Sequence, residues 1–223
     1  MTRTHVLIDL DGTISDSSVG IGRSLQHAFR QCGYPPPSDQ DVLSIIGPPF
    51  EDTFPILGVP RDDTVRVVAA YRERYEDIGL FENQVYDGIA EMLAELGAGC
   101  TLALATAKPQ PTAQRIVEHF GFAHHFAVQA GATVEVGSGR RTKADVITYA
   151  LAELAIEPGE HVVMVGDRDH DVEGALANGI ECIGVSWGFG SHVELIEAGA
   201  QTVANAPAEV VAAVAGTYRS GQR

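Results

Sequence analysis

The chain lacks long apolar runs. None approaches the ~18 residues that a membrane-crossing helix needs, although 45% of its 223 residues are hydrophobic. Bases are scarce: 15 Lys and Arg stand against 30 acids, a net charge of −15. A nucleic-acid partner requires a basic footprint, so this balance argues against one. An anionic ligand would need a cation or fixed donors at its own site. Lysine is the scarcest base, with Lys108 and Lys143 as its only positions. Cysteine is sparse too: Cys32, Cys100 and Cys182 are widely spaced and form neither a zinc nor a disulfide pattern. They read as buried, reduced thiols. No charged-then-apolar leader opens the chain. The expectation is a cytoplasmic protein with no membrane partner. Internal repeats and low-complexity stretches are also missing.

What is present is alternation. Short apolar runs at His5–Asp11, Thr101–Ala107, Phe126–Gly131, His161–Asp167 and Glu181–Gly188 are bounded by Gly, Asp or Pro. They suit strands buried on both faces of a parallel sheet. Helical patterns at Asp87–Leu96, Pro111–Phe120, Thr142–Leu154 and Asp171–Asn178 fall between them. Such alternation predicts an α/β fold, a Rossmann-like, doubly wound parallel sheet. One interval breaks it. Ser15 to Tyr86 shows no convincing strand and reads as helices at Val19–Gln31, Gln40–Ile46, Phe50–Leu57 and Asp62–Leu80. The expected organisation is an α/β core of residues 1–14 and 87–223 with an inserted helical cap of residues 15–86. Gly47-Pro48-Pro49 reads as a rigid loop of the cap, Asp16 as a helix N-cap, and the tail "TYRSGQR" as frayed.

Ligands of open parallel sheets bind outside the carboxyl ends of the strands, so polar residues there carry the functional signal. The run "HVLIDLDGT" places Asp9 and Asp11 at the end of a core strand. A buried carboxylate is costly unless compensated. Paired carboxylates could hold a hard cation, or divide the tasks of nucleophile and general acid/base. Gly12 would allow a tight turn with open amides. In "TLALATAK", Thr106 closes a buried run before a helix, where a hydroxyl and backbone amides suit an anion. Lys108 follows closely. Lys143 begins a helix and could neutralise a phosphate and a carboxylate together. "VVMVGDRDHD" leads from four apolar residues into Asp167, Asp169 and Asp171; three acids after a buried strand exceed what helix capping needs. A parallel sheet would gather Asp9, Asp11, Asp167 and Asp171 around one point, with Thr106 and Lys143 opposite. A cation site facing an anion site fits metal-assisted phosphoryl transfer.

These residues, in this order, resemble the haloacid dehalogenase superfamily of phosphohydrolases: "DLDGT", Thr106 after a strand, Lys143, and "GDRDHD". The helical insert after the first motif is similar to that family's small helical cap. Within the superfamily the chain looks most like the phosphoglycolate phosphatase-like branch, which includes 5′-nucleotidases and pyrophosphatases. Its cues are "DGTISDS", "IIGPPFEDTF", "ATAKP", "GDRDHDVEGALANGI" and "GVSWGFGS".

The resemblance implies roles. Asp9 would attack phosphorus, and Asp11 would protonate the leaving oxygen and then activate water. The Asp9 carboxylate, the Asp11 carbonyl, Asp167 and Asp171 would hold Mg²⁺. Thr106, Ala107 and Lys143 would bind phosphoryl oxygens, with Leu10 and Lys108 also at the substrate, and Lys143 would also orient Asp9. It further implies a small phosphorylated metabolite as partner, and a monomer or homodimer. Dehalogenases of this superfamily usually lack the acid found here at Asp11. Phosphonatases use a cap lysine, and Ser15–Tyr86 contains none. A phosphomutase, a pyrophosphatase of the same fold and a non-catalytic binding protein stay open as alternatives. His124-His125 reads as a surface pair, His170 as a solvated or supporting residue, and Trp187–Gly190 as packing beside the last strand. Arg23, Arg72 and Arg74 read as helix-surface charges of the cap.

Overall fold

The computed structural model describes residues 3–47, 50–133 and 139–216. The elements, in chain order, are β1 (His5–Ile8), β2 (Ser15–Asp16), α1 (Ser18–Gln31), α2 (Asp39–Ile45), α3 (Phe50–Thr53), α4 (Thr64–Asp77), β3 (Gln84–Val85) and α5 (Ile89–Gly97). They continue as β4 (Thr101–Pro109), α6 (Gln110–His119), β5 (Phe126–Ala132), α7 (Lys143–Glu153), β6 (Val162–Gly166), α8 (Asp169–Ala177), β7 (Glu181–Val185), α9 (His192–Ala198), β8 (Thr202–Ala204) and α10 (Pro207–Val214). The described residues form two compact units. One runs up to Ser15 and resumes at Val85; the other is Asp16–Gln84. The short strands β2 and β3 pair with each other where the chain passes between units.

The larger unit is a six-stranded sheet in the order β5-β4-β1-β6-β7-β8, with every pairing parallel. Parallel neighbours require crossover connections, which here are helices. Both sheet faces are therefore covered, and Val6, Leu7, Ile8 and Val162–Val165 are completely buried. One core cluster joins Leu7, Ala103 and Met164 of the strands to Val146, Ile147 and Ala150 of α7 and Val172 of α8. The central strand β1 pairs with β4 on one side and β6 on the other, Ile8 lying between Leu104 and Val165. The strand order reverses at this point, which is where such sheets open a crevice for ligands.

The smaller unit is helical. Phe29 of α1 meets Phe54 edge-on at 5.7 Å, Phe50 stacks on Phe54 at 4.7 Å, and Tyr71 stacks on Tyr75 at 5.1 Å. Leu25, Phe29, Phe54, Val67 and Leu80 are completely buried.

Several sequence expectations shift. The first strand ends at Ile8 rather than Asp11, because the chain turns at Leu10–Gly12. The helix expected over Asp62–Leu80 is α4 flanked by 3₁₀ turns at Arg61–Asp63 and Gly79–Phe81. Asp16 is not the N-cap of α1. That place is Ser17, and the Asp16 carboxylate accepts from the Ser18 amide at 2.9 Å. The strand β8 and the helices α9 and α10 have no counterpart in the sequence reading. Pro48-Pro49 and the tail from Thr217 lie outside the described residues. Among the described residues, no helix is long and apolar enough to cross a membrane.

Candidate active site

The carboxyl ends of β1, β4 and β6, with the first residues of α7 and α8, surround one buried lysine. Lys143 is the first residue of α7. It is placed there because Thr142 caps the helix: the Thr142 hydroxyl accepts from the Asp145 amide at 3.2 Å, and the Asp145 carboxylate accepts from the Thr142 amide at 2.9 Å. The ammonium donates to the Ala105 carbonyl at 3.0 Å. It pairs with Asp9 Oδ1 at 2.6 Å and Asp171 Oδ1 at 2.8 Å. Gly174 of α8 allows this path, since a Cβ there would stand 2.9 Å from the lysine Cγ.

Asp9 follows β1 directly, and its amide donates to the Val165 carbonyl at 3.0 Å. The chain then turns. The Leu10 carbonyl accepts from the amides of Ile14 at 2.9 Å and Ser15 at 3.1 Å. Gly12 has φ +84°, and a Cβ on it would lie 2.2 Å from Asp167 Oδ2, so only glycine fits there. Asp11 is therefore turned, not strand-aligned, and its carboxylate pairs with Lys108 Nζ at 2.6 Å. Leu10, expected at the substrate, is completely buried, with its carbonyl taken by the Ile14 and Ser15 amides.

The expected helix start after Thr106 is displaced, because β4 continues to Pro109. Thr106 pairs with Gly131 and Pro109 with Ala132, so Ala107 and Lys108 have no register partner on β5. This bulge turns backbone out of the ladder at the strand end. The buried Thr106 hydroxyl accepts from the Lys108 amide at 3.2 Å.

Asp167 follows β6 and is completely buried. Its oxygens accept from the Thr13 hydroxyl at 3.1 Å and the Phe189 amide at 2.8 Å. Asp171, in the first turn of α8, accepts from the Arg168 amide at 3.1 Å. The Trp187–Gly190 segment thus borders the site. Trp187 Nε1 donates to the Thr13 carbonyl at 3.1 Å, and a Cβ on Gly188 would stand 2.4 Å from both Asp167 Cβ and the Gly12 carbonyl.

Crowded charge sets the electrostatics. Burial raises the Asp9 carboxyl above its ordinary range against the pull of Lys143. Burial, then the charges of Asp171 and Asp9, push Asp167 up to about 8. Burial alone would also raise Asp171, but Lys143 and His170 hold it below the ordinary range. For Lys143, burial disfavours the ammonium, and the two carboxylates outweigh it and raise its pKa.

His170, expected as a solvated or supporting residue, is half-buried beside these acids. A nitrogen of its ring and carboxylate oxygens of Asp9 and Asp171 all lie within 4.8 Å of one another. Three buried carboxyl groups share one lysine, and Asp11 Oδ1 is buried with no hydrogen-bond partner among the described residues. Hard oxygen donors with excess charge fit a divalent cation. Asp9 and Asp171 are its candidate ligands, with Asp167 beside them.

A doubly wound parallel sheet with acids and a buried lysine gathered at its switch point defines an α/β protein equipped for chemistry beside an anion. The chain belongs to the haloacid dehalogenase-like hydrolase family, whose model matches residues 6–185. It is 44% identical over 186 residues to a protein of Mycobacterium tuberculosis named tyrosine-protein kinase PtkA, covering 83% of this chain and 62% of that protein. The chain thus spans less than two thirds of that relative's length. It is 41% identical to a protein of Pseudomonas aeruginosa named 5′-nucleotidase, with 86% of each chain covered. Among solved structures, a predicted phosphatase from Clostridium acetobutylicum superposes with a TM-score of 0.89 at 35% identity, covering 96% of this chain and 99% of that one.

Proposed function

We propose that this chain is a Mg²⁺-dependent phosphatase that hydrolyses a small phosphate monoester through a phosphorylated Asp9. The observation that carries the reading is the Lys143 ammonium, 2.6 Å from Asp9 and 2.8 Å from Asp171 at the end of the central strand. It favours the ionised form of a buried carboxylate against the cost of burial and fixes its direction, as a nucleophile requires.

In the first step an Asp9 oxygen bonds to phosphorus while the ester P–O bond breaks. Asp11, as general acid, delivers a proton to the departing oxygen, which leaves as an alcohol. In the second step water attacks phosphorus and Asp11 takes the water's proton. The Asp9–phosphorus bond breaks, releasing inorganic phosphate and the carboxylate. Thr106, the Ala107 amide, Lys108 and Lys143 are the donors for the phosphoryl oxygens. Removing one such donor typically lowers the rate on the order of 10²–10³-fold. Mg²⁺ bound by Asp9, the Asp11 carbonyl, Asp167 and Asp171 would neutralise charge on the transferring group.

The test is turnover of p-nitrophenyl phosphate with and without Mg²⁺. Wild type is expected to turn over only with the metal. Asp9→Asn is expected to be inactive with an unchanged circular-dichroism spectrum. Full activity of that variant would refute the nucleophile assignment. A screen with a nucleoside monophosphate, phosphoglycolate and pyrophosphate then assigns the substrate class, and cleavage of pyrophosphate alone would replace the monoester reading. The likeness to a protein named tyrosine-protein kinase favours a second reading, phosphoryl transfer to a tyrosine hydroxyl. Incubation with γ-labelled ATP and a tyrosine peptide separates the two: labelled peptide supports transfer, and labelled inorganic phosphate supports hydrolysis.

A further inference from the structure

The chain carries two acids for every base, yet one concave surface of the helical unit reverses that balance. A cavity of about 570 Å³ is lined by Arg23, Gln26, His27, Arg30, Gln31 and Arg74. Among the described residues no carboxylate lines it, and none of these residues belongs to the carboxylate–lysine site of the sheet unit. The spacing along α1 makes the surface continuous: positions 23, 26, 27, 30 and 31 share one face of a helix. Arg74 comes from α4 and lines it from a second element.

The arginines are held in different ways. Arg74 is fixed: it donates to the Ser24 hydroxyl at 3.0 Å and to both Glu82 oxygens, at 2.9 and 3.1 Å. Its side chain is only 19% exposed. Arg23 reaches the same Glu82 at 2.7 Å. Arg74 first, then Arg23, hold the Glu82 carboxyl below its ordinary range. Arg30 is exposed and makes no ion pair among the described residues. Three guanidiniums against the single charge of Glu82 leave an excess of positive charge, with one arginine fully available. A helix surface need only be polar to stay in water. It need not concentrate arginines from two helices into a concavity and immobilise one of them. Clefts lined by one sign of charge focus the field and raise the local concentration of the opposite ion. Guanidinium forks match phosphate oxygens two at a time. The volume falls within the range of small-molecule sites.

We propose that this cavity is a binding site for a linear oligophosphate, either free or as the phosphate chain of a nucleotide. Arg30 supplies the unpaired fork, Arg74 the fixed one, and Arg23 exchanges Glu82 for the ligand. Gln26, His27 and Gln31 offer neutral polar groups along the same wall.

The test is isothermal titration calorimetry of the full chain in metal-free buffer, with tripolyphosphate in one arm and ADP in the other. Wild type is expected to bind both saturably, one per chain. Arg30→Ala is expected to weaken binding tenfold or more, and Arg30→Glu to abolish it. Arg30→Lys keeps the charge without the fork and should fall between wild type and Arg30→Ala. Arg30 is exposed, so thermal unfolding of all three variants should match wild type. Equal affinity for the two probes assigns recognition to the phosphate chain alone, and tighter ADP binding adds contacts to the nucleoside. Absence of saturable heat at millimolar probe overturns the proposal. So does an affinity that is unchanged in both Arg30→Ala and Arg30→Glu.

Discussion

At the scale of single residues, the site is a problem of excess charge. Lys143 serves two buried carboxylates with one ammonium, and Asp167 has only neutral donors. Its carboxyl is pushed up to about 8, against 3.8 ordinarily. Between those values the unfolded chain is ionised at this position while the folded chain keeps its proton. Each step up in pH then favours the unfolded state. The metal-free protein should therefore lose thermal stability as pH rises from about 4 towards about 8, and Asp167→Asn should flatten that slope. Mg²⁺ should raise the melting temperature more at the top of this range than at the bottom. Differential scanning calorimetry with and without chelator checks all three. The acids themselves were legible, because charge at the end of an apolar run contradicts its surroundings. Their partners were legible only in part. Lys143 and His170 stood out beside the acids, but the Thr13 hydroxyl and the Phe189 amide carry no local signal, since each matters only through what folding brings beside it.

At the scale of elements, function depends on where helices begin. Thr142 caps α7, and that cap makes Lys143 the first helical residue. Thr142→Ala should cost about 0.5–2 kcal/mol of stability, read by urea denaturation. It should also lower kcat several-fold, because the lysine loses its fixed starting point. Helix signals were readable where caps and stops are local, as at Asn178-Gly179. The bulge at Ala107–Lys108 was not, because a register shift belongs to two strands at once. The β8 strand was missed because Thr202–Ala204 is too short to show a period. The α9 helix had a usable sign in Ser191-x-x-Glu194, and the Ser191 hydroxyl does accept from the Glu194 amide at 3.1 Å.

At the scale of the whole molecule, the sheet unit is closed by a residue near its start. The Arg3 guanidinium donates to the Ala213 carbonyl at 2.9 Å, to Glu181 at 2.7 Å and to Gln201. It ties the approach to β1 to β7, to the segment before β8 and to α10. The bond to the buried carbonyl counts most, because Glu181 is half exposed and surface pairs contribute little. Arg3→Ala should lower stability by about 1–3 kcal/mol in urea denaturation, with kcat of the folded protein unchanged.

Alternation of short buried runs with helical patterns was enough to specify the parallel α/β architecture, because burial and period are local properties of a chain. The same holds for the acids and lysines set at strand ends and helix starts. The resemblance implied Lys143 beside Asp9; only the tertiary structure decided that Asp171 shares that lysine and that Lys108 meets Asp11. Those pairings span crossovers of many residues, and an ion pair depends on distances of a few ångströms. Packing sets such distances, and sequence separation does not encode them.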